Sequence, residues 1–476
     1  MLTSPTNLTK PTLPSDLLGA YEPDAIIAVG DAGTRTAREF RQHIALVAAH
    51  IPPADSADPR DILVTCQDRY HLAVVLLAAW QQRRVIALPP NAREQTLQEL
   101  AGRCALWLHD GPLHTGPEAW HDTTQHNVKH WLDAAPLTQS ETLEPYPALR
   151  LEQPVVTIYT SGSTGTPTAC RKTAAQLIGE GETLQRTFQL AADSCILATV
   201  PAHHIYGLLF SILLPLAAGA HFVRETPLLT PVIEETARRY RATTLISVPP
   251  HLRVLAESEL TTLGQVRQVF SSGAPLADAT AHALQRRFAV AVSEVLGSTE
   301  TGGFAHRRAD IDGARFRPFP NVTITTDEDQ QLLLASPLLE ARLTQPITCP
   351  DRIELQTDGS FKHLGRTDGV VKVGGTRVSL PELEARVRGL RGVNDVAALA
   401  VDAGNARGQE IWLVIATERA QELPELRSEL LRYYEPVLLP RRFRYVDTLP
   451  REATGKVMRA RLLELFRSPK SETMQP

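Results

Sequence analysis

The sequence predicts an α/β fold in which mainly parallel sheets and helices form layers, followed by a smaller α+β domain. From about Glu39 onward, short apolar runs rich in β-branched residues alternate with amphipathic runs. Strands that alternate with helices at this spacing indicate parallel sheets. Because the pattern changes near Arg366, we predict an N-terminal domain over residues 1–366 and a C-terminal domain over residues 367–476.

The N-terminal part contains apolar runs that we predict to be buried strands, with amphipathic helices among them. The strands are DILVTC from Asp61, VIALPP from Val85, VVTIYT from Val155, CILATVP from Cys195 and TTLISVPP from Thr243. The helices are EFRQHIALVAAHI from Glu39, REQTLQELAGRC from Arg93 and PVIEETARRYRA from Pro231. The segment 110–150 has weak periodicity and many His, Thr, Pro and Trp residues, so we predict irregular surface or a poorly patterned subdomain there.

The C-terminal part begins with VVKVGGTRVSL, which is strand-like around a glycine turn. The run SLPELEARVRGLRG predicts a helix, with Ser379 and Glu382 as a capping box and Gly392 at its exit. The runs VNDVAALAV and EIWLVIATE predict strands, followed by a helix from about Glu425 to Tyr434 and a strand in RRFRYVDTLP. These elements suffice for a separate α+β domain.

Composition and charge exclude several classes of function. The net charge is -4 without a basic stripe, so no nucleic-acid partner is indicated. The five cysteines are far apart and form no C-x-x-C pair, which favours a reducing, cytoplasmic location over a disulfide or zinc framework. The N-terminus lacks the apolar core of a signal peptide. The most apolar run, YGLLFSILLPLAAGAHF, is interrupted by Pro215, so we expect core and no membrane span.

A loop of Gly, Ser and Thr follows the predicted strand at Val155–Tyr159. In such a loop, glycine lets backbone N–H groups turn inward, and hydroxyls add donors that can hold a polyphosphate. Parallel sheets bind ligands at the carboxyl ends of their strands, where this loop would lie. The alternative is an ordinary flexible turn. No G-K-[ST] closes the loop, so positive charge has to come from elsewhere.

Other polar breaks carry candidate nucleotide ligands. Glu300, within EVLGSTETGG, is a carboxylate between small residues that suits Mg²⁺ beside phosphates, although alone it would be an exposed loop glutamate. Asp351 is suited to accept two ribose hydroxyls, whereas Asp358 and Gly359 indicate only a hairpin turn. Lys456 lies in a glycine-containing loop near the end of the chain, where a lone lysine is usually solvated.

Taken in order, these segments resemble the motifs of the adenylate-forming superfamily, which contains acyl- and aryl-CoA synthetases, adenylation domains and luciferases. The run YTSGSTGTPT resembles its phosphate loop, PAHHIYG its P-x-x-H-x-x-G segment, and SSGAPL its acyl-pocket loop. The run LGSTE resembles the Y-G-x-T-E motif, GRTDGVVKVGGTRV the hinge, and TGKVMR the segment with the catalytic lysine. The match runs from about Val155 to Arg459.

The resemblance implies a carboxylic acid ligase that uses ATP and Mg²⁺. A large N-terminal domain would hold ATP and the acid, and a small mobile C-terminal domain would swing about Asp368 between two poses. In one pose Lys456 would reach the carboxylate and the α-phosphate. Loss of such a preorganised donor costs ~3–4 kcal/mol. In the other pose the loop at Lys372 would line a channel for a pantetheine thiol.

The residues implied by the resemblance fall into groups by role. The catalytic residues are Lys456, Glu300, His204 and Lys372, with Glu300 also the metal ligand and Asp368 the hinge. The nucleotide-binding residues are Thr160, Ser161, Gly162, Ser163, Thr164, Gly165, Ser272, Gly273, Ala274, Leu296, Gly297, Ser298, Thr299, Asp351 and Arg366. The substrate pocket is formed by Tyr206, His203 and Gly302.

The sequence departs from the family pattern at three places. Thr168 replaces the usual lysine of the phosphate loop, for which Arg171 or Lys172 are the candidate substitutes. Leu296 replaces an aromatic residue that stacks on adenine, a stack worth roughly 0.5–1.5 kcal/mol. Cys349-Pro350 replaces the Thr-Gly before the ribose aspartate. The groups that carry the chemistry are nevertheless present.

The resemblance is greatest to short, stand-alone ligases that prime aryl polyene or fatty-acid-like assembly lines. We therefore expect a hydroxylated aromatic acid, such as a hydroxybenzoate, to be loaded in trans on an acyl carrier protein. Tyr206 would bond a ring hydroxyl, or it is simply a core tyrosine. The alternatives are an aryl- or fatty-acyl-CoA ligase that uses CoA, and a non-catalytic acyl- or nucleotide-binding protein. A simple ATPase lacks support, because no Walker lysine is present.

Overall fold

The chain forms two compact units. The computed structural model describes residues 17–54, 60–111, 124–134, 145–160, 168–339, 346–366, 369–404, 408–417, 426–450, 457, 459–466 and 472–473. The N-terminal unit comprises Met1–Ala92, Leu97–Tyr159 and Ala169–Gly365. The C-terminal unit comprises Arg93–Thr96, Thr160–Thr168 and Arg366–Pro476.

The strands in the described residues are short in the first half of the chain and longer toward the end. They are β1 Ile26–Val29, β2 Arg35–Thr36, β3 Asp61–Val64, β4 Ile86–Leu88, β5 Cys104–His109, β6 Thr124–Asn127, β7 Pro154–Thr160, β8 Thr168–Thr173, β9 Cys195–Ala198, β10 His221–Val223, β11 Thr244–Ser247, β12 Gln268–Ser271, β13 Ala291–Ser298, β14 Gly302–Arg308, β15 Arg315–Pro318, β16 Thr323–Thr326, β17 Gln331–Ala335, β18 Ile347–Leu355, β19 Phe361–Arg366, β20 Val370–Val373, β21 Thr376–Ser379, β22 Asp395–Asp402, β23 Gln409–Ala416, β24 Arg442–Val446 and β25 Glu472–Thr473.

The helices in the same described ranges alternate with these strands. They are α1 Ala37–His50, α2 Arg69–Gln81, α3 Glu94–Ala101, α4 Val128–Ala134, α5 Ala174–Phe188, α6 Ile205–Leu208, α7 Leu214–Ala218, α8 Thr230–Arg239, α9 Pro249–Glu257, α10 Asp278–Phe288, α11 Ala309–Asp312, α12 Leu380–Arg388, α13 Leu426–Leu431 and α14 Arg459–Leu465. A π-helical turn, Leu209–Leu213, joins α6 to α7, and Pro436–Leu438 is a 3₁₀ turn.

Two large sheets make up most of the N-terminal unit. Within the described ranges, one has the order β16-β17-β18-β19-β15-β14-β13-β12-β11-β9-β10-β1-β2 and the other β6-β5-β3-β4-β7-β8. Neighbouring strands from β1 through β10, β9, β11 and β12 to β13 run parallel, as do those from β6 through β5, β3 and β4 to β7. The predicted α/β class with parallel-rich sheets is therefore confirmed.

The C-terminal unit is built from smaller pieces. Among its described residues, β20 and β21 form an antiparallel hairpin, and a second sheet has the order β22-β23-β24-β25. In this sheet β22 and β23 pair antiparallel, whereas β23 and β24 pair parallel. Helix α12 packs an apolar face, including Leu383 and Val387, into the same core cluster as Leu413 of β23. An amphipathic helix on a mixed sheet fits the predicted α+β character.

Local sequence explains why these elements form. Helix α1 begins at Thr36, whose side chain and that of Glu39 make a reciprocal capping box. Its buried residues include Phe40, Ile44 and Val47, which recur at helical spacing on one face. Strand β11 is buried along its whole length, as expected for a central parallel strand covered on both faces.

Two sequence predictions differ from the structure. The segment 110–150, predicted to be irregular, contains β6 and α4, because Val128 and Leu132 are buried at helical spacing and Trp131 stacks on His50 with ring centroids 4.4 Å apart. Helix α12 is capped by Ser379 as predicted, but it ends at Arg388 rather than near Gly392. The N–H groups of Gly389 and Leu390 bond to the carbonyls of Arg386 and Val387, three residues back, so the last turn tightens and the helix ends there.

The most apolar run of the sequence lies in the core, as predicted. It forms α6, the π-helical turn, α7 and β10, and Leu208, Phe210, Ile212 and Leu214 are buried. The two helices of this run are short, and Pro215 lies at the start of α7, directly after the π-helical turn whose last bond runs from the N–H of Leu214 to the carbonyl of Leu209. Within the described residues we find no helix with the length and apolarity needed to cross a membrane.

Candidate active site

The carboxyl ends of the parallel strands place several predicted site segments at one edge of the large sheet. Strands β9, β11, β12 and β13 pair parallel in consecutive register, for example Ser247 with Ser271 and Ser271 with Glu294. The Thr199 and Ser247 hydroxyls are 2.8 Å apart, immediately beyond β9 and at the end of β11. Loops that follow these strands therefore share one edge, the usual location of ligand sites in such sheets.

The loop after β12 contains Ser272, Gly273 and Ala274, three of the predicted nucleotide-binding residues. The Ser272 hydroxyl donates a 2.8 Å hydrogen bond to the carbonyl of Val295 in β13. Gly273 has φ +89°, a left-handed conformation that favours glycine. The Leu276 N–H donates to the buried Glu294 carboxylate at 2.9 Å. The loop is thus fixed against β13 at both ends.

The segment between β9 and α6 holds His203, His204 and Tyr206. Helix α6 begins after His204, and a Cβ atom built at Gly207 would overlap the carbonyl of Pro201, so this tight turn requires glycine. The His203 and His204 rings lie 4.5 Å apart. Removal from water lowers the pKa of His203 to about 3, with a further contribution from His204, and that of His204 to about 4. Both imidazoles are therefore neutral near pH 7.

Tyr206 combines an apolar contact with an unused polar atom. Its ring packs against Phe210 with centroids 5.0 Å apart. Its hydroxyl oxygen is buried and has no hydrogen-bond partner in the described part of the chain. Burial raises the pKa of this phenol far above its usual value, and a weaker contact from the Ser247 backbone opposes that rise without reaching hydrogen-bond geometry. A buried, unpaired hydroxyl costs about 1–3 kcal/mol, which a bound ligand with a polar group would recover.

Glu300 lies at the exposed tip of the antiparallel turn between β13 and β14. Ser298 pairs with Gly302 across this hairpin, and the Ser298 and Thr301 hydroxyls are 3.0 Å apart. A Cβ atom at Gly297 would overlap the carbonyl of Gly302, which explains the small residues of this motif. Leu296 is half-buried and packs against the cluster that contains Phe304.

Two buried charged residues, Lys172 and Glu180, support the same turn; Lys172 was predicted only as a substitute for the phosphate-loop lysine, and Glu180 was not predicted. The Lys172 ammonium donates a 2.9 Å hydrogen bond to the backbone carbonyl of Glu300. The Glu180 carboxylate accepts a 3.0 Å hydrogen bond from the N–H of Gly303. Arg171, the other candidate for the missing loop lysine, makes a 3.3 Å ion pair with Asp61. In the sequence, Lys172 stands in the polar run TACRKT and gives no sign of burial.

A third residue outside the predicted site, Arg69, supports the histidine segment. Its side chain is only 1% exposed and donates to the carbonyl of Val200 at 3.2 Å, just before Pro201. It also donates to the Ser211 hydroxyl in the π-helical turn at 2.9 Å. Because such π-turns are frequent at functional sites, this buried arginine connects the segment to an unusual backbone feature.

Asp351, the predicted ribose ligand, lies in β18 rather than at the end of a parallel strand. It is buried, and its carboxylate is 2.8 Å from Nε2 of His363 in β19. The nearby residues Asp358 and Gly359 form the turn between these strands, with Gly359 at φ +80°, as predicted. Arg366 ends β19, and its side chain lies outside the described residues.

The remaining predicted residues belong to the C-terminal unit or fall outside the described part of the chain. Lys372 lies in β20 opposite Arg377 of β21, and Gly374 and Gly375 form the turn between these strands with φ +59° and +86°. Thr160 ends β7. Residues outside the described ranges are Ser161, Gly162, Ser163, Thr164, Gly165, Asp368 and Lys456.

The donor atoms near Glu300 fit a magnesium–nucleotide rather than a metal held by protein alone. No group of three or more His, Cys, Asp or Glu side chains capable of holding a metal occurs among the described residues. Mg²⁺ is commonly bound through one or two carboxylates together with substrate phosphates. A single carboxylate on an exposed turn, beside the hydroxyls of Ser298 and Thr301, suits that arrangement.

Comparisons with known proteins find a family model and several relatives. A family model described as "AMP-binding enzyme" matches residues 19–333. A 4-coumarate–CoA ligase from Rhodobacter capsulatus is 30% identical over 311 residues, which are 65% of this chain and 76% of that protein. A sulfoacetate–CoA ligase from Cupriavidus necator is 27% identical over 365 residues, 70% of this chain and 71% of that protein.

Solved structures show the same fold. An o-succinylbenzoate CoA synthetase from Bacillus subtilis, determined with a product analogue, superposes with a TM-score of 0.80. The match covers 95% of this chain and 98% of that one, at 17% sequence identity. The fold described above is therefore shared with that synthetase, and at this identity the likeness concerns the fold alone.

Proposed function

The chain belongs to the AMP-binding enzyme family of adenylate-forming acid–thiol ligases, and from this premise we propose that it activates a hydroxylated aromatic acid and transfers it to CoA. The acid's carboxylate oxygen would attack the α-phosphorus of ATP, releasing pyrophosphate. The thiolate of the acceptor would then attack the acyl carbonyl, and AMP would leave. The acceptor expected from the sequence was an acyl carrier protein, but the named relatives are CoA ligases, which favours CoA.

The observation that carries the choice of acid is the buried hydroxyl of Tyr206. It needs a hydrogen-bond partner, and among the described residues it has none. A ring hydroxyl on an aromatic acid would supply that partner, and the neighbouring Phe210 ring supplies an apolar wall. The similarity to a 4-coumarate–CoA ligase supports the same class of substrate, because 4-coumarate is a hydroxylated aromatic acid.

The protein's own groups would orient the reactants. Neutral His203 and His204 can each donate one hydrogen bond to a carboxylate without adding charge. Glu300 would hold Mg²⁺, which neutralises phosphate charge when bound. The loop Ser272–Ala274 would contact the nucleotide at the carboxyl edge of the large sheet. Lys456 would supply the cation for the developing charge on the α-phosphate. The loss of such a donor typically costs ~3–4 kcal/mol of transition-state stabilisation.

The test is a pyrophosphate-exchange survey with purified protein, ATP and Mg²⁺. The panel contains 4-coumarate, 4-hydroxybenzoate, benzoate, sulfoacetate, medium- and long-chain fatty acids, and amino acids. We expect hydroxylated aromatic acids to give the highest kcat/KM. Exchange with fatty acids alone would refute the aromatic assignment, and no exchange with any acid would favour a non-catalytic binding protein.

A second assay decides the acceptor. The acyl-adenylate formed in the first assay is offered CoA or a phosphopantetheinylated carrier protein at equal concentration, and thioester formation is followed by mass spectrometry. We expect CoA to be acylated faster. Exclusive acylation of the carrier protein would restore the acceptor first expected from the sequence, namely an acyl carrier protein supplied in trans.

A further inference from the structure

Lys172 is a lysine whose side chain is buried beneath the turn 299–303. It lies in β8 and its side chain is 1% exposed. A buried ammonium is costly unless it is hydrogen-bonded or paired with an opposite charge. Here its Nζ atom donates to the backbone carbonyl of Glu300, at 2.9 Å. The cation is thus directed at the backbone of the turn whose tip carries the proposed metal ligand.

Glu180 of α5 approaches the same turn. It is 4% exposed, and its Oε2 atom accepts the N–H of Gly303 at 3.0 Å. The carboxylate also packs directly on Gly302, since a Cβ atom built there would overlap both carboxylate oxygens. Gly302 has φ +71°, so glycine is required both by the backbone conformation and by this contact.

The two side chains bind opposite sides of the turn. The Lys172 ammonium donates to a carbonyl on one side, and the Glu180 carboxyl group accepts an N–H on the other. Burial raises the pKa of Glu180 to about 7, while the charge of Lys172 and the hydrogen bond from Gly303 oppose that rise. The Cys170 thiol adds a weak contact with the carbonyl of Thr299 at 3.4 Å. Three backbone groups of the turn, the carbonyls of Thr299 and Glu300 and the N–H of Gly303, are therefore bonded to β8 and α5.

We propose that Lys172 and Glu180 are positioning residues, which hold the turn 299–303 so that the Glu300 carboxylate meets the magnesium–nucleotide. This inference rests on the proposed function, because it presumes the role of Glu300. It also gives Lys172 a different task from replacing the phosphate-loop lysine at Thr168. Groups that orient a metal ligand are often nearly as important as the ligand, since their loss typically lowers metal affinity or activity by roughly 10–100-fold.

The test uses the full chain with Lys172→Met and, separately, the near-isosteric Glu180→Gln. Isothermal titration calorimetry, in which Mg²⁺·ATP is titrated into the protein without acid, measures nucleotide affinity independently of turnover. Steady-state exchange then gives KM for Mg²⁺·ATP and for the acid. We expect nucleotide affinity to fall by about tenfold or more in both variants. KM for the acid should change less than nucleotide affinity, because the described hydrogen bonds of both side chains go to the turn 299–303 and none goes to the histidine segment.

Hydrogen–deuterium exchange of the nucleotide-free protein provides a second readout. The amide of Gly303 is bonded to Glu180, and the neutral amide oxygen of Glu180→Gln is a weaker acceptor that also gives up the carboxylate charge opposite Lys172, so exchange of the peptide covering the turn 299–303 should accelerate. The matched control is Arg224→Met, which removes another buried cation, one paired with Asp68 at 2.6 Å. We expect this control to lower Tm while leaving turn exchange and nucleotide affinity unchanged.

The outcomes separate the two hypotheses. Wild-type protein that binds Mg²⁺·ATP without catalysing pyrophosphate exchange would count against the proposed function. The comparison of nucleotide affinities would still test the positioning role of Lys172 and Glu180. If Lys172→Met and Glu180→Gln lower Tm like the control but keep wild-type nucleotide affinity and turn exchange, the positioning role is wrong. If Lys172→Met does not fold, Glu180→Gln alone decides, because it retains the shape of the side chain.

Discussion

The segment 203–206 and the turn 299–303 present their functional side chains in opposite ways. The first removes neutral groups from water: two imidazoles with lowered pKa values and a tyrosine hydroxyl that has no hydrogen-bond partner among the described residues. The second exposes one carboxylate, Glu300, on a turn whose backbone is held by buried charges. A desolvated neutral surface can select an organic acid by shape and hydrogen bonding, whereas an exposed anion on a rigid turn suits a hydrated metal.

Because of this difference, we expect the proposed acid site and the proposed nucleotide site to respond to different perturbations. Changes in the segment 203–206 should alter acid preference and pH-dependent stability. Changes near the turn should alter dependence on ATP and Mg²⁺.

We expect the largest effect from Lys456→Ala, which changes neither the segment 203–206 nor the turn 299–303. Neither region supplies the cation proposed for the α-phosphate, so adenylate formation should fall by about a hundred- to a thousand-fold. Transfer from a chemically supplied acyl-adenylate to CoA should stay largely intact, because that step does not use this ammonium. Separate measurement of pyrophosphate exchange and thioester formation checks the result. Equal loss of both steps would contradict a lysine that acts only in adenylation.

The pH dependence of stability tests whether the histidine segment is held neutral. The pKa of His203 in the folded protein is about 3, below its unfolded value of about 6.5. The stabilising contribution of neutral His203 to the free energy of unfolding is therefore fully present above pH 6.5 and declines as the pH falls from there toward 3. Wild-type protein should lose about 1–2 kcal/mol more free energy of unfolding than His203→Gln between pH 6.5 and 5. Urea titrations at both pH values measure this; parallel losses would show that His203 is accessible to protons.

Tyr206→Phe sharpens the assignment of the acid site. The hydroxyl has no partner among the described residues, so its removal should leave Tm unchanged or slightly higher. KM for 4-hydroxybenzoate or 4-coumarate should rise by about threefold to tenfold, the value of one hydrogen bond. KM for benzoate, which lacks the ring hydroxyl, should be unaffected. An equal change for benzoate would identify Tyr206 as a core residue.

Leu296→Tyr tests the nucleotide side with the smallest expected effect. The side chain is half-buried near the end of β13 and packs beside Phe304. An aromatic ring able to stack on adenine would contribute roughly 0.5–1.5 kcal/mol, which lowers KM for ATP by about twofold to tenfold. KM for the acid serves as the internal control. Unchanged KM for ATP would indicate that position 296 does not face the base.

The contrast between regions also explains what could be predicted from the sequence. Apolar runs such as those at Val155, Cys195 and Thr243 predicted β7, β9 and β11, because a buried parallel strand needs apolar residues on both faces. The capping signal at Ser379 predicted the start of α12 but not its end. Strand β8 was not predicted, because its polar residues resemble those of a solvated segment.

By itself, the sequence determined the order of the motifs, the α/β alternation and the residue types available for chemistry, because these depend on local composition and spacing. Only the tertiary structure decided which polar groups are removed from water. The burial of Lys172 and Glu180 under the turn of Glu300, and the unpaired hydroxyl of Tyr206, arise where segments far apart in the chain pack together. Desolvation is a property of that packing, and local composition and spacing do not specify it.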